Sequence, residues 1–329
     1  MRILFAGSPE IAVPTLKTLI KLSEDGICEL AGALTTPDAP PSGRAPPEPS
    51  AVGRAALTEG AGGRPPVVLK PEKLDAPARE AVRALKPDLL VSFAYGKIFG
   101  PKFLAIFPQG GINIHPSLLP KYRGPSPIQA AILGRDAETG ISVQRLTAEV
   151  DAGDILAQAT IPLLGRETAP VLSGIAAQGG AALLAEIIPR LQEDPSLPGR
   201  PQDHDQATYC SLITREDGRI DWNRAAEEID ARIRAFDPWP LCYTRHGDRE
   251  LYILAGRPYE GSSGGISGKG EPAEFSPGTV LGIDKDAGIL IQTGNGIFAV
   301  IRLQYRAGKA LDWRAFLNGA RNFIGVWLE

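Results

Sequence analysis

The sequence predicts an α/β protein in two parts: a doubly wound sheet domain over residues 1–191, a linker over 192–208, and a small antiparallel barrel or sandwich over 209–329. Three observations carry this. Short, almost wholly apolar runs alternate with helical patterns through the first part, as buried parallel strands and their crossovers do. Pro195, Pro198 and Pro201 then interrupt the pattern among polar residues, the composition of a linker. Beyond them, strand-like runs at 250–254, 278–283, 289–292 and 297–303 are separated by glycines and turn residues, which suits antiparallel pairing.

In chain order, Arg2–Ala6 reads as a buried strand and Gly7-Ser8-Pro9 as the turn into a helix. No GxGxxG follows that strand, so a bound dinucleotide is not expected. Residues 27–35 form the second strand. Residues 37–66 are rich in Pro, Gly and Ala, with Arg44, Arg54 and Arg64 spaced through them. Such a segment is either a surface loop or a loop that embraces a phosphate-bearing substrate, with a short helix at 51–59. Residues 67–69 and 88–93 are strands flanking a helix at 76–85. A helix at 126–133, a hairpin of 140–146 with 155–161, and a long alanine-rich helix at 168–191 complete the first part. The second part adds a helix at 223–235, the stretch Phe236-Asp237-Pro238-Trp239-Pro240, a Gly/Ser-rich excursion at 261–270 and a terminal helical turn at 313–317.

A chain of 329 residues suits two cores better than one. Its net charge of −3 speaks against a globally basic nucleic-acid binder, though not against a local basic face. Three cysteines, Cys28, Cys210 and Cys242, with no CxxC spacing, indicate a reduced compartment. The apolar run after Met1 is too short for a signal sequence or a span, so a cytoplasmic protein is expected.

The chemistry concentrates in residues 111–154. Gly111–His115 alternates as a strand, so Asn113 and His115 share one face while Ile112 and Ile114 take the other. Pro116 has no N–H for the ladder and ends the strand. An amide and an imidazole therefore stand together at a carboxyl end, where open α/β sheets hold ligands. Asp151, in a Gly-containing turn, is the nearest carboxylate in sequence that could orient and charge-stabilise such a histidine. These three groups suit a reaction that puts negative charge on a carbonyl oxygen and moves a proton on an amine. No Ser or Cys stands as an obvious nucleophile, which favours direct transfer over a covalent intermediate. The competing reading is an ordinary polar histidine and an ordinary Asp-Ala-Gly-Asp turn. His115, His204 and His246 are scattered, and no metal site is expected.

The run Asn113-Ile114-His115-Pro116-Ser117-Leu118-Leu119-Pro120-Lys121-Tyr122-Arg123-Gly124, with Asp151-Ala152-Gly153-Asp154, resembles the signature of folate-dependent formyltransferases. Within that superfamily the whole chain is similar to the methionyl-tRNA formyltransferases. Phe5-Ala6-Gly7-Ser8-Pro9, Thr36-Pro37-Asp38, Ala94-Tyr95-Gly96, Ile220-Asp221-Trp222 and Arg234–Pro240 support this. The resemblance implies a Rossmann-like formyltransferase domain followed by an OB-like barrel that helps hold tRNA. It implies 10-formyltetrahydrofolate as formyl donor and charged initiator tRNA as acceptor. Asn113, His115 and Asp151 become the catalytic trio. Tyr95, Gly96, Ser117, Leu118, Leu119, Pro120 and Asp154 become the folate pocket. Arg44, Lys121, Arg123, Arg215 and Arg219 either form a basic track for tRNA or are ordinary solvated charges. The chain departs from the family where prolines and Glu48 surround Gly43-Arg44 in place of lysines, and where the linker carries Glu193, Asp194, Asp203 and Asp205. The neighbouring readings are a sugar-nucleotide amine formyltransferase and a non-catalytic tRNA- or folate-binding module. A monomer with no membrane contact is expected.

Overall fold

In a computed structural model of the chain, residues 1–40, 45–60, 65–261, 275–320 and 322–329 are described. Arg44 and Arg64, and all but the first residue of the excursion at 261–270, lie outside them. The chain divides into two compact units, the first made of Met1–Pro127, Ala137–Leu163 and Val171–Ser211, the second of Ile128–Asp136, Leu164–Pro170 and Leu212–Glu329.

The first unit is built on a seven-stranded sheet. Its strands are β1 (Arg2–Gly7), β2 (Glu29–Leu34), β3 (Val67–Leu69), β4 (Leu89–Phe93), β5 (Gly111–His115), β6 (Glu138–Arg145) and β7 (Ile155–Pro162), in the order β3-β2-β1-β4-β5-β6-β7. β1 to β5 are parallel, and β6 and β7 continue the sheet antiparallel. The order reverses between β1 and β4, the switch point at which such sheets open a crevice at their carboxyl ends. Ile3, Leu4, Phe5, Leu89, Leu90 and Val91 are all fully buried, which is why these strands read as continuous apolar runs.

Helices α1 (Val13–Glu24), α2 (Ala51–Thr58) and α3 (Ala76–Ala84) connect the parallel strands. Pro14 stands in the first turn of α1. Ser50 Oγ accepts from Gly53 N at 2.9 Å and so starts α2 inside the Pro/Gly-rich segment. Arg54, in that helix, is spent on Glu10 at 3.0 Å and the Pro49 carbonyl at 2.9 Å. A four-residue helix, α4 (Pro101–Leu104), precedes β5, and α5 (Pro127–Leu133) follows it. The long helix α6 (Ala169–Glu193) has the length and hydropathy of a membrane span, but half of its apolar window is buried inside the fold. Leu172, Ala176, Leu184, Ile187 and Ile188 form its buried face.

The segment expected as a linker is stitched to the first unit. Ile155 and Arg200 exchange backbone hydrogen bonds at 2.9 and 2.8 Å, and Thr208 N donates to the Pro120 carbonyl at 3.3 Å. Around Arg200 it runs extended beside Ile155 as an antiparallel bridge. The other difference from the expected boundary at 191 is that 128–136 and 164–170 group with the second unit.

In the second unit, β8 (Cys242–His246), β9 (Arg249–Pro258), β10 (Val280–Asp284), β11 (Gly288–Gln292) and β12 (Ile297–Tyr305) form an antiparallel sheet ordered β10-β11-β12-β9-β8, with β13 (Leu311–Asp312) beside β12. The tail reaches both edges: Val280 N donates to the Val326 carbonyl at 2.8 Å, while Arg245 and Glu329 exchange bonds at 3.3 and 3.1 Å. The sheet therefore curls until a single extended tail spans β10 and β8. Helix α7 (Ala226–Ala235) lies against β9 and β12, and α8 (Trp313–Gly319) follows β13.

Candidate active site

β5 ends at His115, with Ile112 and Ile114 buried beneath the sheet surface and Asn113 on the opposite face. The antiparallel register of β6 sets Gln144 opposite Asn113 and Ser142 opposite His115. Four polar side chains thus share one face at the carboxyl end of β5. The turn after β6 brings Asp151 over them.

Asp151 is the hub. Its Oδ1 accepts from Gln144 Nε2 at 2.8 Å and from Asn113 Nδ2 at 3.5 Å. Its Oδ2 accepts from Gly124 N at 2.9 Å and faces His115 Nδ1 at 3.5 Å. The other ring nitrogen, His115 Nε2, is 2.8 Å from the Tyr122 carbonyl. A carbonyl only accepts, so Nε2 carries a proton and Nδ1 is the nitrogen left to exchange one with a neighbour. His115 is 4 % exposed, so its ring is shielded from bulk water.

The backbone around the hub is bent to serve it. Asp151 and Tyr122 have φ of 56° and 59°, the left-handed region that costs most residues free energy and clusters at functional sites. Gly124, at φ 116°, turns its N–H onto Asp151, and a Cβ there would collide with the Cys210 carbonyl. Gly153 faces the Arg145 carbonyl so closely that a Cβ has no room.

A second layer supports the turn. Gln202 Nε2 donates to the carbonyls of Asp151 at 2.9 Å and Gly153 at 2.7 Å, and lies 3.3 Å from Gln144 Oε1. Arg123 Nη2 and Nε meet Gln202 Oε1 at 2.9 and 3.2 Å. Cys210 packs beside them; burial, and then the nearby Asp151 charge, push its thiol pKa up.

The loop from Ser117 to Pro120 is held by Ser142 Oγ, which donates to the Ser117 carbonyl at 2.7 Å and accepts from Leu119 N at 3.2 Å. Gln158 Nε2 adds 2.8 and 3.1 Å contacts to Ser142 Oγ and the Leu119 carbonyl. Ser117 and Leu119 are buried; Leu118 and the cis-linked Pro120 are half-buried. Tyr95 follows the neighbouring strand β4 at the same sheet edge and stacks on Phe99, centroids 5.4 Å apart and planes 7° from parallel. Its hydroxyl is buried without a hydrogen-bond partner among the described residues, and burial pushes its pKa to about 12. The ring packs in the core with Leu4, Leu34, Leu90 and Phe103. Gly96 beside it is exposed with φ 81°. Asp154 is exposed at the start of β7, where its charge acts on Arg145, outside the hydrogen bonds of the hub. The described residues contain no cluster of His, Cys, Asp and Glu able to hold a metal.

The cationic residues fare differently from one another. Lys121 is exposed, its Nζ 4.9 Å above the Tyr122 ring. Arg215 is exposed and pairs with Glu250 at 2.5 Å, and Arg219 is exposed beside it. Arg123 is the correction: it is 1 % exposed, with its guanidinium consumed by Gln202, Glu149, Tyr209 and His204, so it offers no charge to a nucleic-acid surface. Sequence reasoning also passed over Gln144, although its position two residues after Ser142 in an apolar strand marks both as one polar face. Nothing in the sequence singles out Gln202.

Residues 3–188 match the formyl transferase family and residues 212–321 the C-terminal domain of formyl transferases. The chain is 46 % identical over 327 residues to a methionyl-tRNA formyltransferase of Treponema denticola, covering 98 % of each. It is 41 % identical over 324 residues to one of Treponema pallidum, covering 97 % of each. Among solved structures, HypX from Aquifex aeolicus in complex with tetrahydrofolic acid is similar with a TM-score of 0.61 at 18 % identity, over 98 % of this chain and 48 % of that one. An N-formyltransferase from Helicobacter canadensis, in complex with folinic acid and dTDP-3-aminofucose, gives 0.61 at 18 % identity, over 91 % and 98 %. These two speak to the fold alone. With both domain families matched in chain order and full-length relatives at such identity, the chain belongs to the formyl transferase family.

Proposed function

We propose that this protein transfers the formyl group of 10-formyltetrahydrofolate to the α-amino group of methionine on charged initiator tRNA, in the cytoplasm and as a monomer. The observation that carries the reading is the likeness to methionyl-tRNA formyltransferases over 98 % of the chain, catalytic and C-terminal parts alike. The folate donor is further supported by the tetrahydrofolate bound to a protein of the same fold.

The arrangement around β5 suggests how the residues divide the work. The neutral amine attacks the formyl carbon, forming a C–N bond and a tetrahedral oxyanion. Asn113, held by one N–H to Asp151, has a second N–H for that oxyanion. His115 Nδ1, across from Asp151 Oδ2, exchanges the proton that the attacking amine must lose and the departing folate nitrogen must gain. Asp151 stabilises the imidazolium during the exchange. Breaking the bond to that folate nitrogen completes the transfer. Tyr95, Gly96 and residues Ser117–Pro120 are assigned to the folate, with Asp154 at its margin. Lys121, Arg215 and Arg219 are assigned to tRNA.

The test offers the purified protein 10-formyltetrahydrofolate with methionine-charged initiator tRNA in one tube and an amino-sugar nucleotide in another. Formyl-methionine in the first tube, lost in His115→Ala, is the expected result. Formylation of the sugar alone would move the protein to a different acceptor class. Silence in both, with folate still bound, would leave a binding module.

A further inference from the structure

Arg123, Gln202 and Gln144 are 1 %, 5 % and 1 % exposed and come from three distant parts of the chain. The geometry points to a directional positioning chain, Arg123 to Gln202 to Gln144, that sets the orientation in which Asp151 meets His115. The inference rests on the reading above that Asp151 and His115 are the reacting pair.

The direction follows from donor and acceptor arithmetic. A guanidinium has donors only. Its Nε and Nη2 both reach Gln202 Oε1, at 3.2 and 2.9 Å, so the oxygen end of that amide is fixed toward Arg123. The NH2 end must then face the other way, where it finds the carbonyls of Asp151 and Gly153 at 2.9 and 2.7 Å and Gln144 Oε1 at 3.3 Å. Its two N–H groups go first to the backbone carbonyls, and Gln144 Oε1 shares one of them, so the orientation of Gln144 is set jointly by this weaker contact and by the acceptor-only carboxylate of Asp151. The NH2 of Gln144 faces Asp151 Oδ1 at 2.8 Å. Turning either amide by 180° would set oxygen against oxygen in a buried site, where an unmet polar group is costly.

One amide therefore holds Asp151 from two sides. Gln202 grips the backbone carbonyl of the turn, where φ is 56°, and through Gln144 it presents a donor to the carboxylate. The remaining donors of Arg123 go outward, to Glu149 Oε1 and Tyr209 Oη at 3.4 Å each and to His204 Nδ1 at 3.2 Å. None of the three residues is assigned to substrate here; they act through Asp151.

The test is Gln202→Glu, which keeps the size of the side chain and its pairing with Arg123 but replaces the NH2 with an acceptor. The new carboxylate oxygen then faces the carbonyls of Asp151 and Gly153 and the oxygen of Gln144, so the turn that carries Asp151 must shift. The expected result is a fall in kcat of roughly 10- to 100-fold, with KM for the formyl donor and for tRNA essentially unchanged. Gln144→Met, which removes the donor and leaves Gln202 in place, should lose kcat in the same way and serves if the first variant does not fold. A wild-type kcat in either folded variant, or a loss confined to KM, overturns the inference. Crystal structures of the variants decide it without activity: Asp151 Oδ2 should leave His115 Nδ1, and an unmoved carboxylate overturns it even if the wild type formylates neither acceptor.

Discussion

Asn113 and Gln144 stand opposite each other across the β5–β6 pair and aim their amides at one atom, Asp151 Oδ1, at 3.5 and 2.8 Å. The shorter contact belongs to Gln144. Asp151 is therefore held by a residue without an assigned part in the chemistry, and Asn113 keeps a second N–H, the donor proposed above for the oxyanion. Asn113→Ala should cut turnover by roughly two to three decades, the cost of one oxyanion donor, with folate affinity retained. Steady-state kinetics beside equilibrium folate binding checks this; a loss of binding alone would refute the role.

Asp151→Asn separates charge from backbone. Asparagine accepts the left-handed conformation that position 151 requires, so the turn should persist and the melting temperature should stay within a few degrees. Its side chain brings an NH2 toward Gly124 N, Gln144 Nε2 or His115, all of which now face the carboxylate. Turnover should fall by roughly two to four decades, as for a lost proton-transfer partner. Near-wild-type turnover in the folded variant would remove Asp151 from the mechanism.

Gly124→Ala asks the opposite question. At φ 116°, with the Cys210 carbonyl in the path of a Cβ, alanine forces the backbone to shift and withdraws the N–H from Asp151. A loss of roughly 1–3 kcal/mol in denaturant unfolding is expected, together with reduced turnover. Unchanged stability would mean that the turn is less constrained than its geometry indicates.

Burial holds the Cys242 thiol neutral up to about 12, against an ordinary value of 9.0. In the unfolded chain the thiol ionises near 9.0, so between these values the unfolded state binds fewer protons and stability falls as pH rises. The stabilisation is fully present below pH 9 and lost on approach to pH 12. Thermal unfolding followed from pH 8 to 11 should show this decline, and Cys242→Ala should make it shallower, with Cys28, raised by burial to about 11, supplying part of the rest. An identical slope in the variant would assign the decline to other groups.

Lys121 and Arg219 are exposed, unlike Arg123. If each meets a tRNA phosphate, replacing either by alanine should weaken tRNA binding and lower the slope of log K against log salt by about one unit. Folate affinity should not move. Titrations at several salt concentrations distinguish this from a surface charge that meets no phosphate, which would leave the slope intact.

Much of this was legible in the chain itself. The strand at residues 111–115 alternates Ile112 and Ile114 with Asn113 and His115, and the structure keeps that alternation as buried and polar faces. β3 has the predicted bounds, and α2, α3 and α8 lie within a few residues of theirs, because periodicity and local caps such as Ser50 and Asp75 mark them. β8 was not legible: Cys242-Tyr243-Thr244-Arg245-His246 has one polar face and too little apolar content, and only pairing with β9 makes it a strand. The α4 turn was too short to leave a periodic signal.

The sequence by itself determined the order of most elements, the paired display of Asn113 and His115, and the family signature through Gly124 and Asp154. These are properties of neighbouring residues, and backbone periodicity and steric rules act over a few residues. Only the tertiary structure decided that Arg123 is buried, that residues expected as a linker brace the site, and that Gln144 holds the Asp151 carboxylate while Gln202 holds the backbone of its turn. Arg123 and Gln202 are 79 residues apart, and Gln144 and Gln202 are 58 apart. Such contacts have no local pattern; they exist because a donor-only guanidinium and two amides, once enclosed in the same fold, have one arrangement that leaves none of them unpaired.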